Sequence, residues 1–382
     1  MVVRLESVAV IGAGSAGYCA AADLTLRGFD VNMYEEPAMK DRLEPILWRG
    51  GIDLLAERYH TAETHPAPWF DKIGFARIHN VTTDIQEAVK DAELIAIFVH
   101  AYRHETIAKL LSKHLRDGQT ILISNGMAGE LVFARTLNEM GIKKDVVLAG
   151  TGSSIYGARR GVEYGIGENQ VMTPQTVLIS PDDPQAVTNV LCAFPAKETG
   201  KAIQRVKHIW KCVPGENVLQ TDLSNINLVT HIALCMLSAT WIDASQRLFR
   251  MHLQAGRSAS YAKVHDVLVK EREAIYKRMG WVDPTKAISR PPTREPPAIF
   301  LHVGPVDLMH RYLHEDIQVG DSLLSSLGDL IGVSTPTIKA LMHLASIVNG
   351  IDYFDVGRTV EKIGIGGMGI EEINSFLLEG TK

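Results

Sequence analysis

Short apolar runs alternate with amphipathic stretches through the first half of the chain, while the second half carries mainly helical periodicity. Residues 7–11 predict a strand, 15–27 a helix stopped at Gly28, and 29–34 the next strand. Further on the pattern predicts a strand at 77–80, a helix at 85–90 and strands at 94–99, 120–124 and 146–150. Several of these strands have no polar interruption. Such strands are covered by helices on both faces, which is the mark of parallel-sheet βαβ units.

The character changes after Ile155. Gly157, Gly161, Gly165 and Gly167 punctuate residues 155–181, predicting short antiparallel strands that extend the sheet. Scattered prolines and charges at 194–215 mark a junction, and long helical patterns follow at 221–251 and 261–279. A proline-rich loop is expected at 284–297, and Ser334-Thr335-Pro336 reads as an N-cap followed by proline in the first helical turn. The expected fold is an α/β Rossmann-type domain over 1–195 followed by an all-α domain over 196–382.

Composition narrows the class. With 382 residues, 46% of them hydrophobic, the chain can bury two moderate cores. A net charge of −5 offers no global attraction for nucleic acid or an anionic membrane. Cys19, Cys192, Cys212 and Cys235 form no CxxC pair, which fits a reducing compartment. The first apolar run is too short for a signal peptide, and Asn227, Thr230, His231 and Ser238 interrupt the longest one, at 226–242. A soluble cytoplasmic protein is expected. GxSxG, HExxH and P-loop motifs are missing, and no histidine sits at zinc-site spacing from cysteines or acids, so no metal site is expected.

The run Gly12-Ala13-Gly14-Ser15-Ala16-Gly17 follows a strand and opens a helix. In that context Gly12 permits the tight turn, Gly14 close backbone approach to a pyrophosphate, and Gly17 close packing of helix on sheet. Ser15 and Ala16 then offer helix N-terminal N–H groups to the phosphates. Glu35 ends the second strand, where an acid accepts hydrogen bonds from ribose hydroxyls. This favours NAD; Glu36 and Arg42 keep NADP as the alternative, and FAD shares the turn but a second flavin motif is missing.

Two further segments carry chemistry. Ser224, Asn227, His231 and Ser238 recur at helical spacing as one polar line on an otherwise apolar helix, a wall for an active-site cleft or the setting of a satisfied core histidine. His310-Arg311-Tyr312-Leu313-His314-Glu315-Asp316 concentrates an arginine suited to a carboxylate and acids suited to holding an imidazole, or is simply a charged helix end. Ser124-Asn125-Gly126 after a strand is either a nicotinamide neighbour or a plain turn. His100, His104, His310 and His314 share four-residue spacings that suit either a site or solvated helix faces.

Taken together, the glycine turn, Ile155-Tyr156-Gly157-Ala158-Arg159, Asn227-x-x-x-His231, Arg311 to Asp316, Thr335-Pro336-Thr337-Ile338 and Gly364-Ile365-Gly366-Gly367 resemble the octopine/nopaline (opine) dehydrogenase family. The resemblance spans nearly the whole chain. It implies a Rossmann domain followed by a helical domain of the 6-phosphogluconate dehydrogenase C-terminal type, and NAD(P)H-dependent reductive condensation of an amino acid with an α-keto acid such as pyruvate. It implies that His231 and Asp316 perform proton transfer, that Arg311 contacts a substrate carboxylate, and that Asn227, Tyr156 and Arg159 line the substrate site; a homodimer is compatible with it. Two departures stand out: Ile232 follows the histidine where the family usually has proline, and Gly150 stands where the family often has an acid. The competing readings are a hydroxyacid or polyol-phosphate dehydrogenase using Lys201, Lys207 or Lys211, and a dinucleotide sensor without chemistry.

Overall fold

The computed structural model describes residues 5–56, 73–161, 176–179, 189–245, 255–256, 258–287 and 305–381. Two compact units emerge: Met1–Val99 with Arg103–Val218, and His100–Tyr102 with Leu219–Lys382. Residues 199–214, which the sequence pattern assigns to the helical half, supply a helix and an edge strand to the sheet of the first unit.

That unit holds an eight-stranded sheet of β1 (Ser7–Ile11), β2 (Asp30–Tyr34), β5 (Asn80–Thr82), β6 (Leu94–Ile97), β7 (Thr120–Ile123), β8 (Val147–Thr151), β11 (Asn189–Ala193) and β12 (Cys212–Pro214). From β5 the order runs β5-β2-β1-β6-β7-β8-β11-β12, all parallel except β11 against β8. The six parallel strands follow the doubly wound order of dinucleotide-binding folds, whose topological switch point lies between β1 and β6. Side chains alternate between two cores: Leu94 and Ala96 point to one, Ile95 and Ile97 to the other. Helices α1 (Ser15–Leu26), α3 (Ile85–Val89), α4 (His104–Ser112), α5 (Gly129–Glu139) and α6 (Thr199–Val206) belong to this unit, with the short α2 (Glu44–Arg49).

Two expectations are corrected here. The pattern at 77–80 is not one strand: β4 (Gly74–Ala76) ends before it and β5 starts at its end, in different sheets. Likewise β9 (Ala158–Arg160) and β10 (Thr176–Ile179) do not extend the main sheet; with β3 (Ile52–Ala56) and β4 they form a second sheet in the order β4-β3-β10-β9. Residues 162–175 and 180–181 of the expected antiparallel segment lie outside the described residues. The physical reason is α1, which packs on β1 and β2 of the main sheet and also on β3, β4, β9 and β10. Tyr18 to Leu24 are all buried, so this helix is apolar or small nearly all round and needs cover on both sides.

The second unit is helical: α7 (Val218–Leu223, whose first residue groups with the sheet unit), α8 (Asn227–Leu237), α9 (Ala239–Ser245), α10 (Ala259–Met279), α11 (Arg311–Glu315), a π-helical turn (Asp316–Asp321), α12 (Ser322–Ile331), α13 (Pro336–Asn349), α14 (Tyr353–Val356) and α15 (Ile370–Glu379). The single helix expected from residue 221 is three, broken before Asn227 and bent by 67° between Leu237 and Ala239; residues 246–251 lie outside the described residues. Among the described residues no single helix is long and apolar enough to cross a membrane. Of the expected proline-rich loop, Pro284–Ala287 is a 3-10 turn and 288–297 lie outside the described residues. At α13 proline does take the first turn, but Thr335 makes no capping bond. Glu271 of α10 caps it instead, accepting the N–H groups of Thr337 and Ile338 at 2.8 and 3.0 Å.

Candidate functional site

In the sheet unit the glycine turn closes β1 against α1. Gly12 has φ +106°, and a Cβ there would sit 2.5 Å from the Phe98 carbonyl oxygen; at Gly17 it would sit 1.8 Å from the Gly12 carbonyl oxygen. No side chain fits at either position. At Gly14, by contrast, a Cβ would meet nothing within 4 Å among the described residues. Gly14 is also the N-cap of α1 and makes no side-chain cap bond, and the first turn carries no acid. Open backbone, a helix N-terminus and no competing acceptor from the cap or the first turn are what a pyrophosphate requires.

Glu35 is 3% exposed and turns toward this loop: one oxygen accepts Ala13 N–H at 2.9 Å and the other Glu36 N–H at 3.0 Å. Arg42 lies 3.4 Å from the first oxygen, and Arg103 grips both oxygens of Glu36 at 2.6 Å. A residue the sequence reading missed supports the turn from below. The Arg160 guanidinium donates to the Ala13 carbonyl at 3.0 Å and lies over the Tyr18 ring at 4.1 Å, and its backbone N–H donates to Ser15 Oγ at 3.0 Å. The contiguous motif gave no hint of it, because Arg160 arrives from the second sheet.

Its neighbours depart from expectation. Tyr156 sits in the core at 2% exposure, its hydroxyl donating to Asp23 at 2.7 Å and accepting from Trp210 at 2.9 Å, so its polar atom is spent on holding β-layer and helix together rather than facing a substrate. Arg159 is half-buried and donates to the carbonyl of Ala158 at 2.9 Å. Gly150 also finds its reason: Glu130 Oε1 occupies the space, 1.4 Å from where a Cβ would lie. After β7, Asn125, Met127 and Ala128 all hold left-handed φ values of +63°, +49° and +59°, and Asn125 and Gly126 donate to the Thr151 hydroxyl and carbonyl. Strain of this kind persists where the surroundings over-determine it, as around ligand sites. Lys201 pairs with Glu198 at 3.4 Å and Lys207 donates to Gln204, both as surface contacts of α6.

In the helical unit, His231 Nδ1 lies 2.7 Å from Asp316 Oδ2, with the two residues 4% and 6% exposed. Tyr312 stacks on the imidazole at 4.0 Å and 18°, fixing its plane. Of the expected polar line only Asn227 and His231 share α8; Ser224 precedes the helix and bonds back to the Thr221 carbonyl, and Ser238 ends it. Arg311 opens α11, exposed, with its guanidinium over the Tyr312 ring at 5.1 Å. The four-spaced histidines go separate ways: His104 is buried in the sheet unit, His310 caps α11, His314 lies 2.8 Å from the Tyr353 hydroxyl, and His100 pairs with Glu315. Among the described residues no three metal-ligating side chains converge.

Three carboxyls in this stretch meet different fields. Glu315 is held down to about 2 despite burial by its bond to His100, the charges of His100 and Arg311, and the Ala101 N–H. Asp316 is pushed well above the carboxylate range by burial and by the Glu315 charge, against the pull of Arg311 and His100. Asp321 is fully buried with neither oxygen bonded among the described residues, and burial with the nearby Asp316 raises it too. A π-helical turn, rare and concentrated at functional sites, carries the last two.

Comparison with known proteins bears on sequence and fold. Residues 214–349 match the sequence model described as NAD/NADP octopine/nopaline dehydrogenase, alpha-helical domain. The chain is 29% identical to an opine dehydrogenase of Arthrobacter sp. (strain 1C) over 388 residues, covering 98% of this chain and 99% of that protein. Among solved structures, octopine dehydrogenase with NADH and L-arginine superposes with TM-score 0.66 at 14% identity over 98% of both chains. Yersinopine dehydrogenase superposes with TM-score 0.62 at 15% identity over 99% of this chain and 98% of that one, and a ketopantoate reductase from Ralstonia eutropha JMP134 with TM-score 0.57 at 16% over 90% and 98%. The structural likenesses bear on fold, and the sequence matches, which span the helical domain and nearly the full chain, bear on descent. In sequence the chain is similar to the octopine/nopaline dehydrogenases, over the helical domain and over nearly its full length.

Proposed function

We propose that the protein is an NAD(P)-dependent opine dehydrogenase, an oxidoreductase of CH–NH bonds that condenses an amino acid with an α-keto acid such as pyruvate. The observation that carries the reading is the buried 2.7 Å couple of His231 and Asp316, in the domain that matches this family. Gly12, Gly14, Ser15, Ala16 and Gly17 would hold the cofactor pyrophosphate. The Glu35 oxygen that accepts the Glu36 N–H keeps a second lone pair for a ribose hydroxyl. When bound, the cofactor supplies the hydride that reduces the imine carbon.

The remaining chemistry falls to side chains. The substrate amine adds to the keto carbon and water leaves, giving C=N. This needs two protons taken from nitrogen and two given to the departing oxygen, a relay suited to one imidazole that accepts and donates in turn. Asp316 bonds Nδ1, fixes the tautomer and stabilises the protonated ring, so that Nε2 is the nitrogen that exchanges protons. Tyr312 keeps the ring from rotating. Arg311 provides a fixed positive group for a carboxylate, and Asn227, one turn before His231, a neutral hydrogen-bonding group.

The test is cofactor oxidation with keto acid alone, amino acid alone, and both. A requirement for both is expected. Oxidation with keto acid alone at the full rate would move the assignment to a hydroxyacid dehydrogenase, and no oxidation across a broad substrate panel would leave a dinucleotide sensor.

A further inference from the structure

Beside the His231–Asp316 couple the helical unit holds a second one of the same chemistry. His100 Nδ1 lies 2.8 Å from Glu315 Oε2, and the other Glu315 oxygen accepts the Ala101 N–H at 2.6 Å. The segment that brings them is itself fastened: Arg358 donates to the Ala101 carbonyl at 2.7 Å, and the Tyr102 ring lies parallel to His100 at 5.3 Å. Glu315 and Asp316 are consecutive and more than nine-tenths buried. Asp316 feels the Glu315 charge through this poorly screened interior.

We propose that the His100–Glu315 couple sets the proton affinity of the His231–Asp316 couple, with His100 and Glu315 as positioning residues for the reaction. Protonated, His100 cancels the Glu315 charge. Neutral, it leaves Asp316 and His231 facing that charge alone, so that His231 binds its proton more tightly as His100 loses its own. The groups facing Asp316 fit this coupling: His231 and Cys235 come from α8, Asp321 from the π-helical turn, Arg311 from α11, and His100 from the segment before α4. His314, one residue before Glu315, also feels the His100 charge. Of these, His100 is half-buried and its side chain 37% exposed, so solvent protons reach it while Asp316 stays covered.

The inference rests on the reading of His231 and Asp316 as the proton-transfer pair, and its test is separable from that reading. The ring nitrogens of His231 are titrated by NMR in histidine-labelled protein, in the wild type and in His100→Gln, Glu315→Gln and His100→Lys, with folding checked by thermal melting. Glutamine can still hydrogen-bond in either place. Removing the Glu315 charge should lower the His231 midpoint by about one pH unit, and removing the His100 charge should raise it by roughly half a unit, less because solvent screens it. His100→Lys keeps the charge and should stay near the wild type, and the corresponding limb of the kcat/KM profile should shift the same way. Unmoved midpoints, or both glutamine variants shifting in one direction, overturn the proposal. Should either glutamine variant fail to fold, the comparison of His100→Lys with the other one decides by the same signs. Should His231→Asn stay active while the midpoints move as expected, the proposed function fails and the coupling stands.

Discussion

The glycine turn and the His231–Asp316 couple solve opposite problems. The turn is contiguous in sequence, built from backbone, and works by what it lacks: no Cβ at Gly12 or Gly17, none of the described residues in the space above Gly14. The couple joins residues 85 positions apart, is built from side chains, and works by what it buries. Steric intrusion should therefore break the first, and a change of chemistry at constant shape the second. The sharpest contrast is His231→Asn. Turnover should fall by about 10²–10⁴-fold, the usual worth of a positioned acid–base group, while cofactor affinity measured by fluorescence titration stays within about twofold. A variant with near-normal turnover would remove His231 from the chemistry.

Gly17→Ala should show the reverse pattern. One methyl group would have to occupy the space 1.8 Å from a carbonyl oxygen, so strand and helix must part. A loss of about 1–3 kcal/mol of stability is expected, together with a cofactor affinity at least tenfold weaker. Normal affinity in Gly17→Ala would mean that the turn is not where the phosphates sit.

The same contrast explains what could be read in advance. The parallel strands were legible because burial on both faces leaves continuous apolar runs, and the turn because its glycines are neighbours. Arg160, Glu130 and Glu271 were not legible, since each acts across a fold contact on a backbone far away in sequence. Tyr156 misled for the complementary reason: a polar aromatic in a family motif looks like a ligand contact until its hydroxyl is found bonded to Asp23 and Trp210 in the core. The polar line around His231 overran two helix breaks, because periodicity carries no mark of a kink at Ser238. Arg311 and Asp316 could be named only by resemblance, as spacing alone equally describes a charged helix end.

A smaller effect tests whether side chains reached across the fold also carry structure. Glu271→Ala removes the acceptor for two N–H groups at the start of α13 and should cost about 1–2 kcal/mol, the range of a lost helix cap, without affecting cofactor affinity. Amide exchange should rise at Thr337 and Ile338 first. Protection unchanged there would show that the cap is not what holds α13.

The smallest expected effect separates two buried carboxyls of the same stretch by sign. Glu315 is held at about 2, so its contribution to stability is present above its unfolded value of about 4.3 and is lost as pH falls from there through 2. Asp321 is raised by burial and by Asp316. A carboxyl raised in the folded state binds its proton more tightly folded than unfolded, so its contribution is complete below the unfolded value of about 3.9 and is lost as pH rises toward the folded one. Asp321→Asn, neutral at every pH, escapes that loss. Its melting temperature should match the wild type near pH 4 and exceed it by roughly 1 °C at neutral pH, about what 1 kcal/mol is worth in a chain of this size. A constant offset between pH 4 and 8 would mean that Asp321 ionises as easily folded as unfolded, and a lower melting temperature at pH 8 that its charge is stabilising.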